Sequence, residues 1–297
     1  MRLLGNPMNL NSSKIIGNTP LIQISEKIYA KLETYNPTGS VKDRMVYYVV
    51  KKAQHYGEIN SSTIFCEATS GNTGIALSSI AASLGLPCHI FMPSDMSEER
   101  RQMMSVYGAK IIDAPPSDFS AAIEMRDEFL RKNPLAWSPM QFSNLDNIEC
   151  HRTITAREIS SQLEQIGKKW GAFIHGSGTG GTIEGVRQYV ERNIYGEVKS
   201  TQVCMVVPAE SPHGIQGIGD GKDFLANPND MDSVIVIKTK DAIERAKDFA
   251  SETGILVGIS SGANILASEI WVEENSPQHP VVTMLCDRGE RYMSIFR

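Results

Sequence analysis

From about residue 60 onward, short apolar runs rich in β-branched residues alternate with longer segments of helical spacing, and that alternation most restricts the fold. Thr63-Ile64-Phe65-Cys66 reads as a buried strand, after which Ala76, Ile80 and Leu84 recur at helical spacing up to a stop at Gly85. His89-Ile90-Phe91-Met92 is a second strand, followed by a charged helix that Ser97 is placed to cap and that stops at Gly108. Lys110-Ile111-Ile112 is a third strand, and 119–131 a third helix. Past Gln141-Phe142, helical residues over 148–166 precede Ala172-Phe173-Ile174-His175, a glycine-rich loop and another helix. Further strands read at 203–207, 234–237 and 281–285, and Ala242, Ala246, Phe249 and Ala250 line a helix over 241–253. Strands joined by helical crossovers run parallel. The expectation is an α/β protein of two lobes with a cleft between them.

The length of 297 residues suits two packed lobes or one large domain. A net charge of -5 argues against a nucleic-acid or membrane-surface role, so an anionic ligand must be held by local donors. No apolar run approaches the roughly 20 residues of a membrane span. Nor does the N-terminal stretch show the long apolar region of an export signal. Cys66, Cys88, Cys150, Cys204 and Cys286 form no CxxC pair, which predicts reduced thiols in a cytoplasmic protein. Cys66 and Cys204 lie within strand-like runs and are expected in the core. The six histidines form no HExxH or comparable cluster, and no metal site is expected.

Four short stretches carry chemistry. In Asn36-Pro37-Thr38-Gly39-Ser40-Val41-Lys42-Asp43-Arg44, Pro37 and Gly39 mark a turn and Ser40 can cap the helix that follows. Lys42 then stands in the first helical turn, where the helix dipole disfavours a charged amine and suits a neutral nucleophile. Gly176-Ser177-Gly178-Thr179-Gly180-Gly181-Thr182 follows a strand and opens a helix, an arrangement that cradles phosphate through backbone N–H groups and hydroxyls. The same spelling satisfies GxGxxG, but a dinucleotide site wants an acidic residue at the end of the next strand. Glu197 precedes that strand and Glu210 lies too far beyond it, which favours one phosphate over a pyrophosphate. Thr69-Ser70-Gly71-Asn72-Thr73-Gly74 offers three hydroxyls, an amide and a helix start, which suits a carboxylate or simply caps a helix. Gly258-Ile259-Ser260-Ser261-Gly262 is a further helix start, where either serine can serve as a plain cap.

In this order, Lys42 and the three loops resemble the cysteine synthase (O-acetylserine sulfhydrylase) family of pyridoxal-phosphate enzymes of the second fold type. The resemblance runs from Ile16-Gly17-Asn18-Thr19-Pro20-Leu21 to Gly289-Glu290-Arg291-Tyr292 and includes Ala30-Lys31-Leu32-Glu33, Met96-Ser97-Glu98-Glu99-Arg100-Arg101, Gln141-Phe142-Ser143-Asn144 and Ile215-Gln216-Gly217-Ile218-Gly219. So many matches in register make chance agreement negligible. The resemblance implies a larger cofactor-anchoring lobe of residues 1–36 and 146–297, and a smaller mobile lobe of residues 37–145. Each lobe would be a mostly parallel sheet flanked by helices. It further implies that Lys42 binds pyridoxal 5'-phosphate as a Schiff base, with Asn72 at the ring's phenolic oxygen. Gly178, Thr179, Gly180, Gly181 and Thr182 would hold the phosphate, and Ser260 would meet the pyridine nitrogen. Thr69, Ser70, Thr73 and Gln141 would bind the substrate α-carboxylate.

The implied reaction is β-replacement of O-acetyl-L-serine with sulfide, giving L-cysteine and acetate, by a homodimer able to bind serine acetyltransferase. Other readings are O-phosphoserine as substrate, thiosulfate as donor, cystathionine formation, a scaffold for serine acetyltransferase, or an NAD-dependent dehydrogenase. Glu67-Ala68-Thr69-Ser70 and Cys286-Asp287-Arg288-Gly289 resemble the B isoform, whereas the glycine loop and Gln216-Gly217-Ile218-Gly219 resemble isoform A. Two departures stand out. Ile154-Thr155-Ala156-Arg157-Glu158 replaces a family stretch with a threonine-glycine pair, and His175 stands where small or apolar residues are usual.

Overall fold

The computed structural model describes residues 15–69, 71–192, 201–219 and 225–297. They divide into two compact units, one holding Asn36–Gln141 and the other Gly17–Tyr35 with Phe142–Arg297. In chain order, β1 (Leu21–Gln23) and β2 (Ile28–Leu32) precede α1 (Lys42–His55). Then come β3 (Ile64–Ala68), α2 (Asn72–Leu84), β4 (Cys88–Pro93), α3 (Glu98–Val106), β5 (Lys110–Ala114), α4 (Phe119–Lys132) and β6 (Ala136–Trp137). The remainder is α5 (Asp146–Cys150), a π-helical turn (His151–Thr155), α6 (Ala156–Gln165), β7 (Ala172–Gly176), α7 (Gly181–Arg192), β8 (Gln202–Pro208), β9 (Ser233–Ile237), α8 (Thr239–Thr253), α9 (Ile259–Asn275) and β10 (Val281–Leu285).

In the first unit the strands lie in the order β5-β4-β3-β6, all parallel. Successive residues of a strand face opposite sides, and both sides are covered here. Phe65, Ile90 and Met92 pack with Met45, Val46 and Val49 of α1 and Ile75, Leu77 and Ile80 of α2. Cys66 and Phe91, one residue along, pack instead with Ala122 and Phe129 of α4. Two-sided burial is why these strands read as unbroken apolar runs. Gly85 ends α2 in the left-handed conformation (φ 69°), as its position after the last apolar residue predicts. One cap differs from expectation. Ser97 is the N-cap of α3, but its buried hydroxyl makes no capping hydrogen bond and has no partner among the described residues.

In the second unit the order is β1-β2-β10-β7-β8-β9, parallel except for the β1–β2 hairpin. Ile174, Cys204 and Val206 form its core with Ile259, Ala263 and Ala267 of α9. The hairpin is absent from the sequence reading because a charge interrupts it. Lys31 of β2 is wholly buried, with Nζ bound to Thr19 O (2.6 Å), Gln162 Oε1 (2.8 Å) and the Glu158 carboxylate (3.0 Å). A lysine paired in this way is tolerated inside a sheet, but it erases the apolar signature. Among the described residues no helix is long and apolar enough to cross a membrane.

Candidate active site

Lys42, Thr69, Asn72, Thr73 and Gln141 belong to the first unit, and residues 178–182 and Ser260 to the second. Ser70 lies outside the described residues. Most of the candidate groups lie at or just before the amino end of a helix, Gln141 being the exception in the segment between β6 and α5. Lys42 is the first residue of α1, Asn72 of α2 and Gly181 of α7, while Ser260 is the second of α9. Two of these starts directly follow the carboxyl ends of parallel strands, β3 before α2 and β7 before α7. Ligands in open α/β sheets bind at such ends.

Lys42 owes its position to a clamp made by its neighbour. The Asp43 carboxylate is buried and accepts from Thr38 Oγ1 (2.7 Å), Thr38 N (3.3 Å) and Ser40 N (3.3 Å). It thereby fixes the turn that Gly39 N to Asn36 O closes at 2.7 Å. Ser40 does accept a helix-terminal amide, that of Lys42 at 3.3 Å, but from one residue before the N-cap, which is Val41. Ser40 thus accepts a helix amide as the sequence predicts, while Asp43 holds the turn that precedes the helix.

The 69–74 loop is tied down by Gln141. Thr73 Oγ1 donates to Gln141 Oε1 (2.6 Å), and Gln141 Nε2 donates to Ala68 O (3.2 Å). Thr69 Oγ1 accepts from Gly71 N at 3.2 Å. Thr69, Thr73 and Gln141 are all buried. Behind them the Glu67 carboxylate is fully enclosed, and burial pushes its pKa above the usual carboxylate range against the pull of Arg126.

In the second unit the glycine loop is wedged among its neighbours. A side chain on Gly178 would meet Gly217 O at 2.4 Å, and Gly180 adopts φ 86°, a conformation that favours glycine. One built on Gly217 would lie 3.8 Å from Ser260 Oγ, so the loop, the 215–219 turn and the start of α9 come together. Ser177 O accepts from Gly219 N at 2.8 Å, closing the same cluster. Thr179 Oγ1 accepts from Asn147 Nδ2 (3.0 Å), and Thr182 Oγ1 bonds His151 Nε2 (3.2 Å), whose Nδ1 reaches Thr155 Oγ1 (3.0 Å) in the π-helical turn. Glu210, weighed above as a ribose acid, instead accepts from Thr239 N (3.0 Å) at the start of α8. Glu197 lies outside the described residues.

The model of the family described as "Pyridoxal-phosphate dependent enzyme" matches residues 12–287. The chain belongs to that family. A probable cysteine synthase of Bacillus subtilis is 36% identical over 302 residues, 96% of this chain and 96% of the relative. A cysteine synthase B of Campylobacter jejuni is 38% identical over 296 residues, covering 95% and 96%. Among solved structures, the cysteine synthase of Entamoeba histolytica superposes with a TM-score of 0.87 at 34% identity, over 96% of this chain and 89% of that one. The protein is thus a pyridoxal-phosphate-dependent enzyme of the second fold type.

Its own residues fit that cofactor. A bound phosphate needs convergent donors with no bulky side chains among them, which the glycine loop at the start of α7 provides. Ser177 Oγ and Gln216 Oε1 are shielded from solvent without a partner among the described residues, beside that loop and Ser260. Buried polar atoms left unsatisfied in this way point to a missing ligand. Among the described residues no group of three or more His, Cys, Asp or Glu could hold a metal ion. Sequence reasoning missed Asn147 and His151, because they act through bonds to residues 32 and 31 positions away, and it missed the part played by Asp43, which lies inside the lysine stretch and folds back on Thr38 and Ser40.

Proposed function

We propose that the protein is a cysteine synthase, replacing the acetyl ester of O-acetyl-L-serine with sulfide. The observation that carries this reading is the 69–74 loop. Buried hydroxyls of Thr69, held by Gly71 N, and of Thr73, tied to Gln141, lie at the start of a helix in the same unit as a lysine that itself starts a helix. That set suits an amino acid presenting its carboxylate to a helix start and its amine to Lys42. Relatives with cysteine synthase names at near-complete coverage support it.

In this reading Lys42 is the covalent anchor of the cofactor, Asn72 meets its phenolic oxygen, Gly178 to Thr182 hold its phosphate and Ser260 faces its pyridine nitrogen. When bound, the cofactor supplies an electron-withdrawing ring that stabilises negative charge on the substrate α-carbon. Ser260, a neutral hydroxyl, leaves the pyridine nitrogen unprotonated, which favours β-elimination over wider delocalisation. Thr69, Ser70, Thr73 and Gln141 hold the α-carboxylate. Once the substrate amine displaces it, Lys42 Nζ takes the α-proton. The Cβ–O bond would then break with departure of acetate, HS⁻ would form the new Cβ–S bond, and the proton held on Lys42 Nζ would return to Cα. The loop keeps water from the reactive centre between the two half-reactions. We further infer a homodimer able to bind serine acetyltransferase and a cytoplasmic location, the latter in keeping with five buried cysteines that form no disulfide among the described residues.

The test is steady-state assay of the purified protein with O-acetyl-L-serine and sulfide. One cysteine and one acetate per turnover, with the parallel initial-rate lines of ping-pong kinetics, support the reading. No cysteine with sulfide and no S-sulfocysteine with thiosulfate, from either O-acetylserine or O-phosphoserine, overturns it. Cystathionine from homocysteine at a higher rate would redirect the assignment to that relative of the reaction.

A further inference from the structure

Arg126 belongs to α4 and to none of the loops described above, yet it reaches the carboxylate loop through an unbroken line of buried bonds. Its Nη1 donates to Glu67 Oε1 at 2.7 Å, and its Nε to Asp127 Oδ1 at 2.7 Å. Glu67 Oε1 also accepts from Ala68 N (2.8 Å), and Glu67 Oε2 accepts from Gln141 N (3.2 Å). Gln141 then spans from Ala68 O to Thr73 Oγ1. Glu67 is 0% exposed and Arg126 5%.

The chemistry of this line is directional. Ala68 O accepts only, so Gln141 must present Nε2 to it and Oε1 to Thr73, and a flipped amide would lose the bond to Ala68 O and turn Thr73 Oγ1 from donor to acceptor. What seats Gln141 against Ala68 is its own N–H on Glu67. Glu67 is an anion directly behind a loop that has to receive another anion. With Arg126 beside it the pair is neutral. Without Arg126 two outcomes are open. An ionised Glu67 repels the incoming carboxylate. A protonated Glu67 exchanges an acceptor for a donor and loosens its hold on Ala68 N or Gln141 N.

We propose that Arg126 is a positioning residue for the substrate carboxylate, acting through Glu67 on Gln141 and Thr73. The inference rests on the reading of residues 69–74 as the carboxylate site. It assigns to α4 a function beyond packing on β3 and β4.

The test compares cofactor-loaded wild type, Arg126→Met and Arg126→Lys, using L-serine as the probe ligand in calorimetry and O-acetylserine as the substrate. Arg126→Met should weaken L-serine binding about tenfold, equivalent to about 1.4 kcal/mol. KM for O-acetylserine should rise by a similar factor, kcat should change less than about threefold, and cofactor affinity and the resting spectrum should stay unchanged. Arg126→Lys, which keeps the charge, should recover most of the loss. Should Arg126→Met fail to fold, Glu67→Gln carries the test, and the same selective loss of L-serine is required. Unchanged L-serine affinity, or loss of cofactor in step with it, overturns the inference while leaving the wild-type activity and the proposed function intact. Wild-type protein that binds no amino acid at all would overturn the carboxylate-loop reading, and this inference with it.

Discussion

Asn264 is the least conspicuous of the residues that organise the base of the glycine loop, and its removal should be costly. It is wholly buried in α9, at the meeting point of two neighbouring parallel strands, β7 and β10. Its Oδ1 accepts from Gly176 N at 2.8 Å, and its Nδ2 donates to Met284 O at 3.0 Å. These two partners fix the amide's orientation, since a backbone N–H can only donate and a carbonyl only accept. His175 Nδ1, 3.2 Å from the same Nδ2, is therefore the acceptor in that contact. Asn264→Ala leaves Gly176 N–H without its partner and Met284 O with only the weak contact of Cys286 Sγ at 3.7 Å, at about 1–3 kcal/mol each, and adds a small cavity. The expected loss is about 3–5 kcal/mol, and a unit of this size shifts by about 2–4 °C per kcal/mol, so Tm should fall by about 6–20 °C. Far-UV circular dichroism at fixed protein and cofactor concentration reads it. Gly176 begins the glycine loop proposed above to hold the cofactor's phosphate, so on that reading cofactor affinity should fall as well. Ser268→Ala is the control: its hydroxyl bonds only a carbonyl of its own helix, Asn264 O, and its loss should be mild. A drop below about 2 °C for Asn264→Ala, or equal drops for both variants, would refute the reasoning.

Gly178→Ala places a methyl 2.4 Å from Gly217 O, a backbone atom that cannot move without shifting the 215–219 turn. The strain of about 1–3 kcal/mol should appear as a cofactor dissociation constant at least about tenfold higher in a titration of cofactor absorbance, and unchanged affinity would count against the loop's role. Burial pushes the thiols of Cys66 and Cys88 up to about 12, so at pH 8 both stay protonated and unreactive. Iodoacetamide should modify all five cysteines only after denaturation, and mass spectrometry showing rapid native labelling at Cys66 or Cys88 would contradict the packing of β3 and β4.

What the sequence disclosed and what it withheld follow from range. Strand–loop–helix junctions are local events, so the glycine loop, the 69–74 loop and the helix starts at Lys42 and Asn72 are legible from neighbouring residues alone. The parallel strands are legible too, because burial on both faces leaves Phe65-Cys66 and Ile174 in continuous apolar runs. The β1–β2 hairpin is not, since Lys31 finds its partners in residues around Thr19 and in α6. Glu67 and Arg126 stand 59 residues apart, and Asn264 and Gly176 stand 88 apart, so neither bond has a local signature. The π-helical turn escapes for a related reason. Residues 148–166 carry one helical pattern, and the wider turn at His151–Thr155 is a matter of backbone bonding that side-chain periodicity does not report. Ser97 illustrates the converse, a cap by residue type that makes no bond.

The claim on which the rest depends is that Lys42 is the cofactor's covalent anchor. Borohydride reduction of the cofactor-loaded protein, followed by proteolysis and mass spectrometry, tests it directly. The peptide containing Lys42 should carry the mass of the reduced cofactor in near-stoichiometric yield, and Lys42→Ala should carry none and show no turnover. Adduct on a different lysine, or a stable holoprotein with no adduct on any, would contradict the account.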